Sequence, residues 1–439
     1  MSKELRHMLE EHFLREHNKE KREVGVEIEL ALMPIAAGEV RLEFLQPFVA
    51  WLETIGFIAM NRTNQGHICE LRNEAGDTIS FETTWNTIEF SMSKAVSLLE
   101  IYRRFYEMFY PIEDYCMAHG YFICGRGIHP NYETMNTAPL YTDLLLAKSE
   151  FLKNHTSHGN GEIFHALCIS TQTHLESRSN DTYFRLLHFL RQVYALEPVL
   201  FANSSPPKAA YLDMHPAIKD LNRNTICYRD ELWRGCEAPN VIQDGTCIKG
   251  PDEFYEYLKV KKLFILPEGD TFRAIAPISI EELYKGDDFQ PEYLDYLRVL
   301  EPIAPTQRKT VEVRGTCTQT LDKLFVPSAF YVGLQANLSS GEQQVFNIYQ
   351  KYFKGMKPLA LRKLLADSRN QTVRESIHGD MDMLVDIAQE GLKRRGYGEE
   401  FLLDLLKEQY ITDQMGHKKS VAKEYEWVKT YVQQQEGMK

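Results

Sequence analysis

Short stretches of this chain alternate hydrophobic and polar residues with a period of two, and longer ones repeat with a period near 3.6. The clearest of the first kind are Val24-Gly-Val-Glu-Ile-Glu-Leu30 and Thr310-Val-Glu-Val-Arg-Gly315. Successive side chains of a strand point to opposite faces, so Glu27 and Glu29 share one face while Val26, Ile28 and Leu30 fill the other. Glu312 and Arg314 likewise share a face. Alternation predicts further strands at 67–72, 77–82, 87–92, 121–128 and, as one long strand, 164–176. Helical spacing predicts a leader helix over 3–18 and helices over 44–55, 94–119, 140–153, 181–201 and 318–339. The run 204–250 reads as loop-rich, 252–300 as further helices, and the chain beyond 340 as helical, with segments near 342–353, 358–367, 380–395, 398–408 and 419–435.

Strands separated by helices of uneven length, without a regular βαβ rhythm, predict an α+β fold. Its sheet should be largely antiparallel and curved, forming an active-site cleft covered by helices. The expected organisation is a leader helix over 1–20, a core over 21–340 and a helical C-terminal region over 341–439 packed on the core.

Several predicted strands carry their polar groups on one face only. Ser80 and Glu82 oppose Ile79 and Phe81, Glu89 and Ser91 oppose Ile88 and Phe90, and Gln172, His174 and Glu176 share a face. A solvated sheet face would show the same alternation. The abundance of helices predicts a covered face instead, and carboxylates gathered in a covered cleft repel one another unless cations lie between them. A set of mainly Glu with one His suits Mg²⁺ or Mn²⁺ better than structural zinc. Magnesium in a cleft accompanies phosphate, yet the chain has no Gly-x-x-x-x-Gly-Lys-Ser/Thr loop, and Gly125-Arg-Gly127 and Gly159-Asn-Gly161 are too short for a dinucleotide fingerprint. A nucleotide would have to be held by metals and arginines on a sheet. Arg314 and the trio Arg223, Arg229 and Arg234 offer planar guanidinium forks for carboxylate or phosphate; a single loop arginine more often forms a surface salt bridge, and three near an acidic face narrow that margin.

Composition narrows the partners. With 44% hydrophobic and 26% charged residues, the 439-residue chain reads as a soluble globular protein. A net charge of −12 provides no general attraction to nucleic acid or an anionic membrane. No run reaches the roughly 18 to 20 apolar residues of a membrane span, and no secretory segment opens the chain, so a cytoplasmic location is expected. The eight cysteines contain no Cys-x-x-Cys pair and read as reduced thiols, Cys317 as a buried one.

The strands and their order resemble the glutamate–cysteine ligase superfamily, ATP-dependent carboxylate–amine ligases related in fold to glutamine synthetase. Gly25-Val-Glu-Ile-Glu-Leu30 is similar to the family's first strand, Ser170-Thr-Gln-Thr-His-Leu175 to its central strand, and Leu196-Glu-Pro-Val-Leu-Phe-Ala-Asn-Ser204 to its helix-ending segment. The loop Arg223–Arg234 resembles the paired-arginine loop, Val311-Glu-Val-Arg-Gly315 the late Glu-x-Arg strand, and Gly391-Leu-Lys-Arg-Arg-Gly396 with Glu399-Glu400 the C-terminal signature of the plant and proteobacterial type. The second acidic strand, Glu82-Thr-Thr-Trp-Asn-Thr-Ile-Glu89, departs from the family pattern in lacking glycines and being one residue longer.

The resemblance implies that ATP phosphorylates the γ-carboxylate of glutamate and that the amine of cysteine, or another amine, attacks the acyl phosphate. It also implies Glu27, Glu29, Glu82, Glu89, His174 and Glu312 as ligands of two or three Mg²⁺ ions, with Mn²⁺ as an alternative. Gln172, Arg229 and Arg234 would bind nucleotide or substrate, while Arg314 and Arg223 would neutralise the transferred phosphoryl group or the glutamate carboxylate. The expected assembly is a monomer or homodimer. Two other readings stay open: a catalytically silent, ligase-like binding module, and a glycosidase using paired carboxylates, whose neutral sugars suit these arginines less well.

Overall fold

The computed structural model describes residues 3–14, 21–36, 38–156, 162–241, 248–286 and 289–407. The predicted helix 419–435, the end of the leader helix over 15–18, Gly159-Asn-Gly161 and Cys247 lie outside the described residues.

Alternation in the sequence is realised in one large antiparallel sheet. Its strands are β1 (Val24–Pro34), β2 (Ile58–Arg62), β3 (Ile68–Arg72), β4 (Thr78–Phe81), β5 (Thr87–Ala95), β6 (Tyr121–Cys124), β7 (Ser170–Glu176), β10 (Ile303–Pro305) and β11 (Thr310–Cys317). They run in the order β10-β11-β7-β1-β5-β4-β3-β2, with β6 pairing the end of β1. A separate hairpin joins β8 (Lys262–Glu268) to β9 (Thr271–Ser279). The fold is mixed α and β around a largely antiparallel sheet, as the uneven strand and helix spacing predicts.

One face of the sheet is apolar. Val26, Ile28 and Leu30 of β1, Ile88 and Phe90 of β5, and Val311 and Val313 of β11 join a core with the helices Leu98–Ala118, Asn180–Leu196, Val326–Ala336 and His378–Arg395. Burying a side chain of this size contributes about 1.5–3 kcal/mol, which fixes strand register because a one-residue slip would turn every such group to the polar face. The helix Lys3–Phe13 joins the same core through Leu5, Leu9 and Phe13.

The opposite face carries the polar row and is roofed by a second apolar cluster. The helix Asp143–His155 contributes Phe151, the helix Glu162–Leu167 contributes Phe164, and β8 contributes Phe264 and Ile265. Several elements differ from the sequence-based expectation. Residues 162–167 form a helix ahead of β7 where a single long strand is expected, because a continuous apolar run has the same pattern in a buried helix and a buried strand. The β8–β9 hairpin replaces part of the helices expected over 252–300; Gly269, with φ +61°, makes its turn. The short strands β2 and β10 also escape the alternation test, and helices occupy Ala209–Met214 and Tyr228–Gly235 in the loop-rich run.

The glycines of Gly125-Arg-Gly127 serve packing. A Cβ on Gly125 would lie 1.8 Å from the carbonyl oxygen of Gln319, and one on Gly127 would lie 2.5 Å from the Cys317 sulfur. The C-terminal signature is a clasp: Glu399, fully buried, accepts from the backbone N–H of Leu98 at 2.6 Å, and Arg395 bonds Glu399 at 2.8 Å and the Val96 carbonyl at 2.6 Å. It thereby caps the long helix that follows β5, whose Ser97 makes no side-chain cap. No helix among the described residues is long and apolar enough to cross a membrane.

Candidate active site

Strand register aligns the polar residues in rows across the sheet. Glu312 of β11 pairs with His174 of β7, Glu27 of β1 lies between Gln172 and Ser91, and Glu29 stands directly opposite Glu89. Like charges facing each other across a strand pair are destabilising, so the chain accepts a local cost here. The rows floor a cleft of about 1180 Å³ over β1, β3, β4 and β5 and an adjoining chamber of about 450 Å³ that reaches β11. Glu27, Glu82, Glu89 and His174 line both.

At one end of the floor Glu27, His174 and Glu312 converge, with one ligand atom from each lying within 4.8 Å of the others. Among the described residues no other group of three His, Cys, Asp or Glu side chains meets that spacing. His174 Nε2 is 3.4 Å from Glu27 Oε1 and 4.0 Å from Glu312 Oε1. Its Nδ1 contacts Thr310 Oγ1 at 3.1 Å, the outer partner that orients a metal-binding imidazole. Burial pushes the Glu27 carboxyl up, but His174 and Arg308 outweigh it and hold the group well below the usual carboxylate range. Two oxygen donors and one imidazole fit Mg²⁺ or Mn²⁺.

Glu29, Glu82 and Glu89 form the neighbouring part of the floor. Glu29 accepts from the Ser170 backbone at 2.6 Å, the Ser170 hydroxyl at 3.1 Å and Gln172 Nε2 at 3.0 Å, so Gln172 holds a carboxylate in place. Burial and then Glu82 push Glu29 up to about 7, against the pull of Arg229 and the Ser170 donors. Glu89, bonded by Ser91 Oγ at 2.5 Å, is raised well above the carboxylate range by burial and by Glu82, Glu27 and Glu29. Glu29 and Glu89 thus favour their protonated forms more than an ordinary carboxyl does, and an arriving cation would reverse that.

The wall opposite is basic. Lys148, one helical turn beyond Leu144 and Leu145 on the Asp143–His155 helix, projects into the chamber and forms no ion pair among the described residues. Burial, against Glu82 and with Arg314, lowers its ammonium. His165 is pushed well below the ordinary imidazole range by burial, then by Lys148 and Arg314, and its Nε2 is buried without a hydrogen-bond partner. Trp233 Nε1 and Arg229 Nε are also buried and unpartnered in the wall of the same chamber. Arg314 lies 3.5 Å from Glu312, while Arg298 and Arg308 line both cavities.

The expected arginines are therefore divided. Arg314 is in the chamber. Arg229 reaches its wall, but its terminal nitrogens donate to the backbone carbonyls of Arg314 and Gly315 at 3.0 Å each, bracing β11. Arg223 is outside both cavities, paired to Asp213 at 2.5 Å and to the Lys219 carbonyl. Arg234 pairs with Glu231 and lines a separate small cavity of about 50 Å³ behind β11. The helix Tyr228–Gly235 turns these side chains to different faces, which sequence spacing within an expected loop does not disclose. Lys148, His165, Arg298 and Arg308 are absent from the sequence-based set. Only Lys148 had a usable signal, a cation on the same helical face as two leucines.

No curated protein matches the chain. Among solved structures, similarity extends to a bifunctional glutathione synthetase from Pasteurella multocida, at 9% identity over 97% of this chain and 54% of that one, with a TM-score of 0.37. It also extends to a glutamate–cysteine ligase from Francisella tularensis in complex with AMP, at 13% identity over 96% of this chain and 100% of that one, with a TM-score of 0.28. The present chain thus spans about half the length of the Pasteurella protein. Residues 23–206 match the model of glutamate-cysteine ligase family 2. That stretch holds Glu27, Glu29, Glu82, Glu89, Gln172 and His174, while Glu312 and Arg314 follow it. The resemblance read from the acidic strands is borne out: over residues 23–206 the chain carries the glutamate-cysteine ligase family 2 pattern, which supports a ligase-like function.

Proposed function

We propose that the protein is an ATP-dependent carboxylate–amine ligase that activates the γ-carboxylate of glutamate as an acyl phosphate and joins it to the amine of cysteine or of a related amino acid. The observation that carries this reading is the opposition of charge across one cavity system. An acidic floor with a Glu27–His174–Glu312 triad faces a wall that carries Lys148, which has no ion pair among the described residues, and the buried ring nitrogens His165 Nε2 and Trp233 Nε1, which have no hydrogen-bond partner among them. A metal-bound anion fits between such surfaces; a neutral sugar would leave both unpaired.

The triad would hold Mg²⁺, with Glu29, Glu82 and Glu89 available to a further ion. Such an ion would supply charge neutralisation at the phosphate oxygens of the nucleotide. The chain's own part is positioning. A carboxylate oxygen of the acid attacks the terminal phosphorus of ATP, ADP leaves, and the amine nitrogen then attacks the acyl carbon as phosphate departs and the nitrogen loses a proton. Arg314 at the rim of the triad and Lys148 on the opposite wall offset the negative charge of both transfers. Holding acid and nucleotide in line supplies much of the rate, since little covalent chemistry falls to the protein. The two adjoining cavities, about 1180 and 450 Å³, give separate room for a nucleotide and an amino acid.

The test is a screen for ADP release with Mg-ATP, glutamate and a panel of amines, with mass spectrometry of the product. ADP release that requires both an acid and an amine, with an amide of matching mass, is expected. Bound Mg-ATP without turnover on any pair would leave the silent binding module as the better reading.

A further inference from the structure

The guanidinium of Arg308 lies where the triad's ligand atoms meet. It reaches in from the turn Thr306–Lys309 between β10 and β11, in which Lys309 takes a left-handed φ of +60°. Nη1 is 2.5 Å from Glu27 Oε1 and 3.2 Å from His174 Nε2. Nδ1 of the ring faces Thr310 Oγ1, so Nε2 is the nitrogen turned toward Glu27 and Glu312, and the guanidinium lies directly against it. A metal ion at the triad needs that nitrogen and the same Glu27 oxygen.

We infer that Arg308 and a divalent cation exchange at the Glu27–His174–Glu312 triad, and that the displaced guanidinium becomes an anion-binding catalytic residue at the junction of the two cavities. The inference rests on the metal-binding reading of the triad. Before the exchange, Arg308 neutralises a carboxylate that would otherwise stand in a row of carboxylates. After it, a metal bonded to Nε2 takes the position in front of the ring where the guanidinium now lies, and the arginine must leave. The Arg308 side chain is already 67% exposed, so what it gives up on leaving is chiefly its pair with Glu27, which the incoming ion replaces. Its tether is the short turn, held by Thr306 Oγ1 against Thr310 Oγ1 at 2.7 Å, so the guanidinium stays beside the cavities it already lines. A planar fork in that position can take a phosphoryl or carboxylate group through two bonds. Arg308 thus fills the anion-binding role for which Arg223 lies too far away.

The experiment is a Mn²⁺ titration followed by electron paramagnetic resonance on the full-length protein without nucleotide, comparing wild type, Arg308→Gln and His174→Ala. Removing the competitor should tighten Mn²⁺ binding in Arg308→Gln by about tenfold, the gain that follows when the arginine leaves about a tenth of the sites open to the ion. His174→Ala should lose the tight ion, which places it at the triad. Arg308→Gln should also raise the KM for ATP or lower kcat. Equal or weaker Mn²⁺ binding in Arg308→Gln, with His174→Ala still impaired, would overturn the exchange alone. Absence of tight Mn²⁺ in both wild type and Arg308→Gln would overturn the exchange and the metal triad together. Tighter Mn²⁺ in Arg308→Gln with no ligase turnover in any protein would uphold the exchange at the triad and overturn the proposed activity and the catalytic role of Arg308.

Discussion

Charges lie on both sides of β11, and the two sides treat them differently. Behind the strand, buried Arg362 donates to Asp230 at 2.6 and 3.2 Å, to Glu197 at 3.0 Å and to the Tyr194 carbonyl at 2.6 Å. Tyr194 completes Asp230 at 3.1 Å, while Tyr331 at 2.9 Å and Thr316 complete Glu197. In front of the strand, Glu29 faces Glu89, and among the described residues Lys148 lacks an ion pair and His165 Nε2 has no hydrogen-bond partner. The rear cluster ties the helix Pro358–Ala366 to the helix Tyr228–Gly235 and closes on itself. The front cluster is left open to whatever enters the cleft. Paired charge marks structure here, and unpaired charge marks the site.

The largest effect should come from breaking the rear cluster. Arg362→Ala leaves two buried carboxylates uncompensated and should destabilise the protein by about 3–5 kcal/mol, seen as a shifted urea denaturation midpoint. A mutation in front should do the reverse: Glu312→Gln is expected to lower ATP turnover by about 10²- to 10³-fold, as loss of one preorganised electrostatic group does, without the destabilisation of Arg362→Ala. Should Glu312→Gln unfold the protein as readily, the contrast would collapse. Thr310→Val removes the partner of His174 Nδ1 and should weaken Mn²⁺ binding by about 10- to 100-fold, measurable by calorimetry.

The open carboxylates also predict a pH signature. Glu29 is raised in the folded state from the ordinary value of 4.5 to about 7. Between those values the folded protein holds a proton that the unfolded chain has released, so this group's contribution falls as pH rises through that window. Glu89 shifts in the same direction. With EDTA present, stability in urea should therefore decline from pH 5 to 7 by an amount that Glu29→Gln reduces, and saturating Mg²⁺ should flatten it. The smallest effect belongs to Arg223→Ala. Its partly exposed pair with Asp213 is a surface salt bridge of about 0–1 kcal/mol, so turnover should stay within about twofold. A large loss would return Arg223 to the active site.

The floor was legible in the sequence because β-strand alternation converts spacing into geometry: Glu27, Glu29, His174 and Glu312 had to share a face once their strands joined one sheet. The roof was not. Phe264 and Ile265 sit in a hairpin hidden within a segment read as helical, and His165 in a helix whose apolar run resembles a strand. The arginine loop misled for a related reason. Its Asp230 is the residue with a fixed task, bound by Arg362 from a helix 132 positions away, and no local pattern reveals such a partner. Arg308 reads as one more turn cation until the fold brings it against Glu27.

The account turns on the transfer of a carboxylate oxygen to phosphorus. The direct measurement is turnover of Mg-ATP with the amine and glutamate carrying ¹⁸O in its γ-carboxylate, followed by mass analysis of the released phosphate. One ¹⁸O per phosphate, formed in step with the amide, is the predicted result. Phosphate released without the label would contradict an acyl phosphate and the ligase assigned to this cleft.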